Sequence, residues 1–276
     1  MAFRQRFLGP TARTMPCANL GVREASGTVS DNTMMEPPRR TPREPRFTTP
    51  CERLPGVLFV HGWDSDQAHY QDRADDVAAL GCVALTFDLR GHGSDASHHA
   101  TVNRAENLED VLAAFDRLAS HPRVDPARIA VLGTSYGGYL AAIASAARPV
   151  RWLGLRVPAL YEDDQWLTPK YGLDRERVMS YRRQPQEPAG NRALSACTRF
   201  EGDALVVGSS EDRIVPRATI SSYVRAFGQA RSMTHRSITQ ADHELSDERA
   251  RRTYDRLLSA WLKEMLLDAM AQHRGQ

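Results

Sequence analysis

The sequence has almost no excess charge, no long apolar run and no closely spaced cysteine pair, and each of these absences argues against a class of protein. It carries 36 basic and 34 acidic residues for a net charge of +2, so it has no excess charge for binding nucleic acid or a membrane surface. No apolar run approaches the roughly 18 residues of a membrane span. The four cysteines, Cys17, Cys51, Cys82 and Cys197, form no C-x-x-C pair, which argues against a zinc site or a disulfide framework. We therefore expect a cytoplasmic protein that has no metal or other cofactor and no nucleic-acid or membrane partner.

Residues 1–50 differ in composition from the rest of the chain. Seven prolines fall among them, and hydrophobic periodicity is weak. We predict that this segment is disordered or loosely attached and that residues 51–276 form one domain. Two alternatives stay open: a transit peptide that would direct the protein to an organelle, or a true translation start at Met34 or Met35.

From Gly56 onward, short apolar segments alternate with longer segments of helical periodicity. The apolar segments are predicted strands at 56–60, 82–87, 129–132, 152–157, 204–208 and 232–238. Residues 159–200 interrupt the alternation with a polar, irregular stretch, which we predict to be a short cap insert. This order is typical of the α/β class, with a mostly parallel sheet covered by helices on both faces.

The central segment, 128–147, contains the sequence Gly-Thr-Ser-Tyr-Gly at 133–137. An apolar strand precedes this G-x-S-x-G motif and an apolar helix follows it, which is the order of a nucleophile elbow. Such a turn would expose the hydroxyl of Ser135 and point the first free amides of the helix toward its target. The alternative is a glycine-rich turn with a bystander serine. A nucleotide-binding loop is disfavoured because G-x-G-x-x-G and G-K-[ST] are both absent.

Three further polar segments follow predicted strands, and the carboxyl ends of parallel strands meet at one edge of a sheet. They are His61-Gly62-Trp63, Asp212 and His243. A serine hydroxyl needs a neighbouring base, and the imidazole of that base needs a carboxylate to fix its tautomer. We predict Ser135 as the nucleophile, His243 as the base and Asp212 as the orienting acid.

The developing oxyanion of an acyl-transfer reaction needs hydrogen-bond donors that are already in place. We predict that the backbone amides of Tyr136, directly after the nucleophile, and of Trp63, after the first core strand, supply them.

With these residues the chain resembles the α/β-hydrolases from residue 56 to its end. The segments that carry the resemblance are His61-Gly62, Asp88 to Ser94, Gly133 to Tyr139, Asp212 to Pro216 and Asp242-His243. The Ser-Tyr-Gly-Gly-Tyr run is similar to the prolyl-oligopeptidase-like and dienelactone-hydrolase-like members. Because Ser135 stands where the dienelactone enzymes proper use a cysteine, the resemblance implies a serine-using relative.

The resemblance implies a serine hydrolase that cleaves a small carboxylic ester through an acyl-enzyme. Hydrolysis of an aminoacyl or peptide amide, acyl transfer, and a non-catalytic ligand-binding relative stay open as alternatives. No β-propeller precedes the catalytic part, which weakens the peptidase interpretation. Within the insert, Tyr161 and Trp166 are candidates for substrate contact or for plain packing.

Several other polar residues have competing interpretations. Three carboxylates compete with Asp212 for the acid role: Glu211, Asp163 and Asp164. We expect Asp242 to form a turn, and we expect no metal at His92 or at the His98-His99 pair, since no second ligand cluster accompanies them. The Arg182-Arg183 pair reads as a solvated helix face or as a contact for an anionic substrate.

Overall fold

The fold is seen in a computed structural model that describes residues 5–10 and 53–274. Its strands are β1 (Gln5–Leu8), β2 (Leu54–Val60), β3 (Val83–Phe87), β4 (Val124–Thr134), β5 (Trp152–Arg156), β6 (Asp203–Ser209) and β7 (Ser232–Ile238). They form a seven-stranded sheet in the order β1-β3-β2-β4-β5-β6-β7. Every pair from β3 to β7 is parallel, and β1 joins β3 antiparallel at one edge. The mostly parallel α/β-hydrolase sheet predicted from the sequence is confirmed.

The helices cover both faces of this sheet. Their bounds are α1 (Gln71–Ala79), α2 (Arg104–Ala119), α3 (Tyr136–Ala144), α4 (Arg175–Arg183), α5 (Arg192–Thr198), α6 (Arg217–Ala226) and α7 (Glu248–Arg274). Helices α1 and α7 pack on one face of the sheet, and α2, α3 and α6 pack on the other. Each face of the sheet carries its own apolar cluster beneath these helices. The central strands are apolar along their length because both of their faces are buried.

Helix α2 begins where the sequence indicates a capping box. The side chain of Asn103 accepts from the amides of Ala105 and Glu106, and the carboxylate of Glu106 accepts from the amide of Asn103. These reciprocal bonds satisfy amides that have no partner inside the helix. The capping box fixes the start of α2, which packs against α3.

The first strand departs from the expectation for the N-terminal segment. Residues 5–8, inside the predicted loosely attached extension, form β1 and pair in register with β3 from Gln5↔Phe87 to Leu8↔Ala84. The ring of Phe7 stacks on His121 with centroids 5.0 Å apart. Four residues are too few for a periodic pattern to reveal such an edge strand. Residues 11–52, which hold the remainder of the predicted extension, lie outside the described residues.

The insert at 159–200 is more regular than its composition suggests. It contains α4 and α5, capped by Asp174 and Asn191, whose side chains accept from the first helical amides. Asn191 also donates to the carbonyl of Tyr161, which ties α5 to the start of the insert. The polar composition reflects two short helices whose outer faces are solvated.

Among the described helices, none is both long and apolar enough to cross a membrane. The two cysteines in the described ranges, Cys82 and Cys197, are buried and unpaired. Burial raises the pKa of the Cys82 thiol to about 12, so this cysteine behaves as a small apolar side chain.

Candidate active site

The turn between β4 and α3 holds Ser135 in a strained backbone conformation. Its φ is +53° and its ψ is −114°, a region that residues with a side chain rarely occupy. Strain of this kind costs about 1–3 kcal/mol and persists only where the surrounding structure enforces it. The geometry is that of a nucleophile elbow, with the serine at the apex of a strand-to-helix turn.

Two glycines make this turn sterically feasible. A Cβ added at Gly133 would lie 2.4 Å from the carbonyl oxygen of Gly137. A Cβ added at Gly137 would lie 2.3 Å from the carbonyl oxygen of Val60 and 2.4 Å from that of His61. Both contacts are with backbone atoms, which cannot rotate away. The motif therefore requires glycine at 133 because the turn folds back onto the first residues of α3, and at 137 because α3 packs directly on the end of β2.

We expect Gly137→Ala to destabilise the protein by about 3 kcal/mol or more, because the new methyl group overlaps the backbone of β2. Thermal unfolding followed by circular dichroism measures the effect. Gly228→Ala is the matched control, since a Cβ at Gly228 meets no atom within 4 Å. Equal melting temperatures for the two variants would contradict the proposed packing.

The structure brings together the three side chains predicted for the nucleophile, base and acid. His243 Nε2 lies 2.9 Å from Ser135 Oγ, and His243 Nδ1 lies 2.7 Å from Asp212 Oδ2. The side chains of His243 and Asp212 are only 8% and 2% exposed. Because the carboxylate holds Nδ1–H, the free Nε2 lone pair faces the serine hydroxyl. The arrangement can move a proton from hydroxyl to imidazole.

Backbone amides hold the Asp212 carboxylate in place. Its Oδ1 accepts from the amides of Ile214 at 2.8 Å and Val215 at 2.7 Å, which leaves Oδ2 for the imidazole. Of the three competing carboxylates, Asp163 and Asp164 pair with Arg192 and Arg177 in the insert, and Glu211 is exposed, whereas Nδ1 of His243 contacts Asp212. Asp242 accepts from the amide of Ser246 and so forms the expected turn.

The loop after β2 lies against the elbow, where the second oxyanion donor was predicted. A Cβ built on Gly62 would contact Ser135 Cβ at 3.6 Å. Before it, the buried His61 accepts from the amide of Leu89 at Nε2, so its Nδ1 carries the proton and donates to the carbonyl of Gly62. Burial lowers the pKa of His61, which favours this neutral form. The neutral imidazole thus fastens the loop that carries the Trp63 amide.

Sequence reasoning missed one buried residue at this site, Arg156. Its carbonyl accepts from the amide of Ser135 at 2.9 Å, and its Nη2 donates to the carbonyl of His243. The guanidinium also lies over the ring of Tyr254, 5.6 Å from the centroid. Arg156 therefore connects the elbow to the histidine loop. An arginine ending an otherwise apolar strand was the available signal, because such a side chain must find acceptors near the strand's carboxyl end.

We expect Arg156→Met to lower kcat by about tenfold to hundredfold with little change in KM, because the loop that positions the imidazole loses its anchor. Steady-state kinetics on an aryl ester measures the split between kcat and KM. Arg148→Met, which removes an ion pair with Asp116 far from the elbow, is the control. A change in KM alone would contradict a positioning role.

Two cavities open on either side of the Ser135–His243 pair. One, of about 580 Å³, extends toward Arg73, Arg156 and Asp255. The other, of about 570 Å³, extends under the insert and is lined by Tyr161 among others. Trp166 lines neither of them; its ring packs between the guanidinium groups of Arg104 and Arg192. Of the two aromatic candidates for substrate contact or packing, the structure places Tyr161 at the cleft and Trp166 in packing contacts.

The histidine-rich loop between β3 and α2 is built from aromatic and ionic contacts. The ring of Trp63 lies 4.6 Å from His92 and 4.4 Å from His99, and His98 pairs with Asp95. Burial, with the neighbouring His61, lowers the pKa of His92 to about 4. Within residues 5–10 and 53–274, no group of three or more His, Cys, Asp or Glu side chains could hold a metal ion.

Comparison with known proteins identifies related sequences and folds. A model of the prolyl oligopeptidase family matches residues 68–269. An uncharacterised protein of Mycobacterium tuberculosis is 30% identical over 198 residues, which cover 71% of this chain and 66%, slightly under two thirds, of that protein. A probable dipeptidyl-aminopeptidase B of Metarhizium robertsii is 38% identical over 106 residues, or 35% of this chain and 12% of that protein.

Among solved structures, the fold is similar to that of Est1E from Butyrivibrio proteoclasticus, determined with bound ferulic acid. The TM-score is 0.60 at 17% identity, over 79% of this chain and 90% of that one. At this identity the likeness concerns the fold.

Proposed function

This chain belongs to the prolyl oligopeptidase family of α/β-hydrolases, and from that premise we propose that it is a serine hydrolase acting on a small carboxylic ester. The observation that carries the proposal is the continuous hydrogen-bonded path from Ser135 through His243 to Asp212, with spacings of 2.9 and 2.7 Å. In this proposal the three residues form the catalytic triad and no cofactor takes part.

In the first half of the proposed reaction, Ser135 Oγ attacks the ester carbonyl while His243 Nε2 takes the hydroxyl proton. Asp212 stabilises the resulting imidazolium through Nδ1–H. The carbonyl oxygen becomes negatively charged and is met by the amides of Tyr136 and Trp63. The Tyr136 amide is the first of α3, so the positive end of the helix dipole adds to the stabilisation.

His243 then returns the proton to the departing alkoxide, which leaves as an alcohol, and Ser135 carries the acyl group. A water molecule enters, gives a proton to the same imidazole and attacks the acyl carbon. As the second intermediate collapses, the imidazolium returns this proton to Ser135 Oγ and the carboxylic acid is released. His243 thus acts as a base and then as an acid in each half of the reaction, through the same two hydrogen bonds.

The charges near the cleft favour an ester over a peptide with a free amino terminus. An aminopeptidase must bind a positively charged amine, for which carboxylates are the natural partners. The cavity under the insert presents Lys170, Arg175 and Arg182 beside Ser135. Peptide amide hydrolysis is the second candidate because of the similarity to the dipeptidyl-aminopeptidase.

A matched panel of substrates tests the proposed function. We expect turnover of 4-nitrophenyl acetate and butyrate with kcat/KM at least about 100-fold above that of the 4-nitroanilides of alanine and Ala-Pro. Ser135→Ala, purified in parallel, measures any contaminating esterase. Anilide cleavage exceeding ester cleavage would select the peptidase, and activity equal in Ser135→Ala would reject the triad.

A further inference from the structure

The cavity under the insert contains an unusual concentration of positive charge for a site beside a nucleophile. Lys170, Arg175 and Arg182 line it together with Ser135 and His243. Arg175 is exposed at the rim, Lys170 is half-buried and Arg182 is only 5% exposed. Buried cations are rare unless they are paired or serve a ligand, so the question is what balances these charges.

Arg182 is held by neutral groups. Its Nε donates to the carbonyl of Leu160 at 3.0 Å and its Nη1 to the carbonyl of Ile214 at 3.2 Å. The guanidinium lies over the ring of Tyr161, 4.6 Å from the centroid. These contacts fix the orientation of the side chain and leave its charge without an ion-pair partner among the described residues.

Lys170 lies over the aromatic residues of the oxyanion region. Its Nζ is 4.0 Å from the ring centroid of Trp63 and 5.5 Å from that of Tyr136. Burial, together with the like charges of Arg182 and Arg175, lowers the pKa of Lys170, although Tyr161 and Asp64 act in the opposite direction. A nearby anion would relieve this repulsion between cations.

The carboxylates closest to the cluster along the chain have other partners. Glu162 and Asp164 each lie 2.6 Å from Arg177, and Asp163 pairs with Arg192. On the opposite wall, the exposed Asp64 lies 3.1 Å from His99. Glu244, which is exposed and follows the buried His243, also lines the cavity. The interior end of the cavity thus remains cationic.

The same charges affect Tyr161, whose ring forms part of the cavity wall. Burial alone would raise the pKa of its hydroxyl, but the pKa is lowered because Lys170, Arg182 and Arg104 surround it. The wall of the cavity therefore presents an ammonium and a guanidinium beside the ring of Tyr161.

From this placement we propose that the cavity binds a carboxylate at the far end of the acyl chain, so that the preferred substrate is an ester of a dicarboxylic acid with one acid group free. The proposal rests on the proposed ester hydrolysis at Ser135. Nη2 is the Arg182 nitrogen that makes neither of the bonds to Leu160 and Ile214, and we assign it to the carboxylate, with the Nζ of Lys170 as a second positive charge. The kcat/KM of a substrate would then depend on a negative charge that its acyl chain carries at a fixed distance from the ester.

The test compares two nearly isosteric substrates, 4-nitrophenyl hydrogen glutarate and the 4-nitrophenyl ester of glutaramic acid, which replaces the distal carboxylate with a neutral amide. A 4-phosphonobutanoate ester shows whether any anion suffices. Because a distal carboxylate can itself attack an aryl ester, rates are corrected with Ser135→Ala. We expect kcat/KM to favour the glutarate by at least about tenfold, and this ratio to fall as salt is raised.

Lys170→Met should remove most of this preference, measured within each variant as the ratio of kcat/KM for the glutarate ester to kcat/KM for the neutral ester, and Lys170→Arg should retain it. Arg183→Met is the matched control, because Arg183 is exposed on the same helix as Arg182 and lies outside the cavity lining. Lys170 is chosen for the test because Arg182 also supports the backbone at Leu160 and Ile214.

The outcomes separate this proposal from the proposed function. Turnover of the neutral ester at the same rate as the glutarate, or a preference unchanged in Lys170→Met, would overturn the anion subsite and leave the esterase in place. If neither ester is cleaved, the esterase fails, and calorimetry of glutarate with Ser135→Ala decides the subsite. Binding that weakens at least about tenfold on adding Lys170→Met would support it. Absence of binding would overturn it.

Discussion

Replacing Ser135 with alanine is expected to lower kcat by about 10⁶-fold on an ester that the parent hydrolyses. At about 1.36 kcal/mol per tenfold, the loss corresponds to roughly 8 kcal/mol of transition-state stabilisation. The reason is that the nucleophile disappears while His243 and Asp212 stay in place without an attacking group to activate. Any residual rate would come from binding and from the amides at the elbow.

Folding must be preserved for this result to be informative. Alanine at 135 removes one oxygen at the cleft and keeps the backbone hydrogen bonds of this residue. Its amide still donates to the carbonyl of Arg156, and its carbonyl still accepts from the amides of Tyr139 and Ala159. Ser145→Ala is the matched control. Ser145 is the C-cap residue that follows α3, and its replacement should retain full activity. Loss of activity in the Ser145 variant would assign the effect to packing of α3 and contradict a nucleophilic role for Ser135.

Asp212→Asn is expected to lower kcat by about 10⁴-fold with little effect on folding. The asparagine side chain can still accept from the amides of Ile214 and Val215, so the turn survives. Its amide nitrogen would donate to His243 Nδ1, which forces the ring proton onto Nε2. An Nε2 that already carries a proton cannot accept one from the serine.

The neighbouring carboxylate provides the control for Asp212. Asp242 lies beside His243 in sequence, but its side chain accepts from Ser246. Asp242→Asn should therefore keep activity within about threefold of the parent, since it preserves that turn. Steady-state kinetics over pH 5–9 compares the two variants. A large loss in Asp242→Asn with a small loss in Asp212→Asn would reverse the assignment of the acid.

The convergence of the three site residues could be predicted because it follows from the sheet. Short apolar strands alternate with helices, so the sheet is parallel and its carboxyl ends share one edge. Ser135, Asp212 and His243 each follow a strand. The glycines of the elbow mark a turn where backbone elements approach within contact distance. These features depend on local patterns repeated along the chain, and local patterns are what a sequence displays.

The cationic cavity could not be predicted in this way, since it depends on contacts between distant segments. Lys170 reaches Trp63 across more than a hundred residues, and neither lies in a periodic pattern. The sequence leaves two interpretations of the Arg182-Arg183 pair open, a solvated helix face and a contact for an anionic substrate. In the structure α4 buries Arg182 and leaves Arg183 exposed. For Trp166 the sequence leaves substrate contact and packing open, and in the structure its ring packs between two arginines, because the fold of the insert decides which aromatic residue faces the cleft.

Labelling with a fluorophosphonate, followed by peptide mapping by mass spectrometry, tests the assignment of the nucleophile most directly. The reagent reacts with a serine only where a base removes its proton and amides hold the phosphoryl oxygen. We expect one adduct per chain, located on Ser135, absent in Ser135→Ala and strongly slowed in His243→Ala. An adduct on a different serine, or a folded parent protein that takes up no label, would contradict the account.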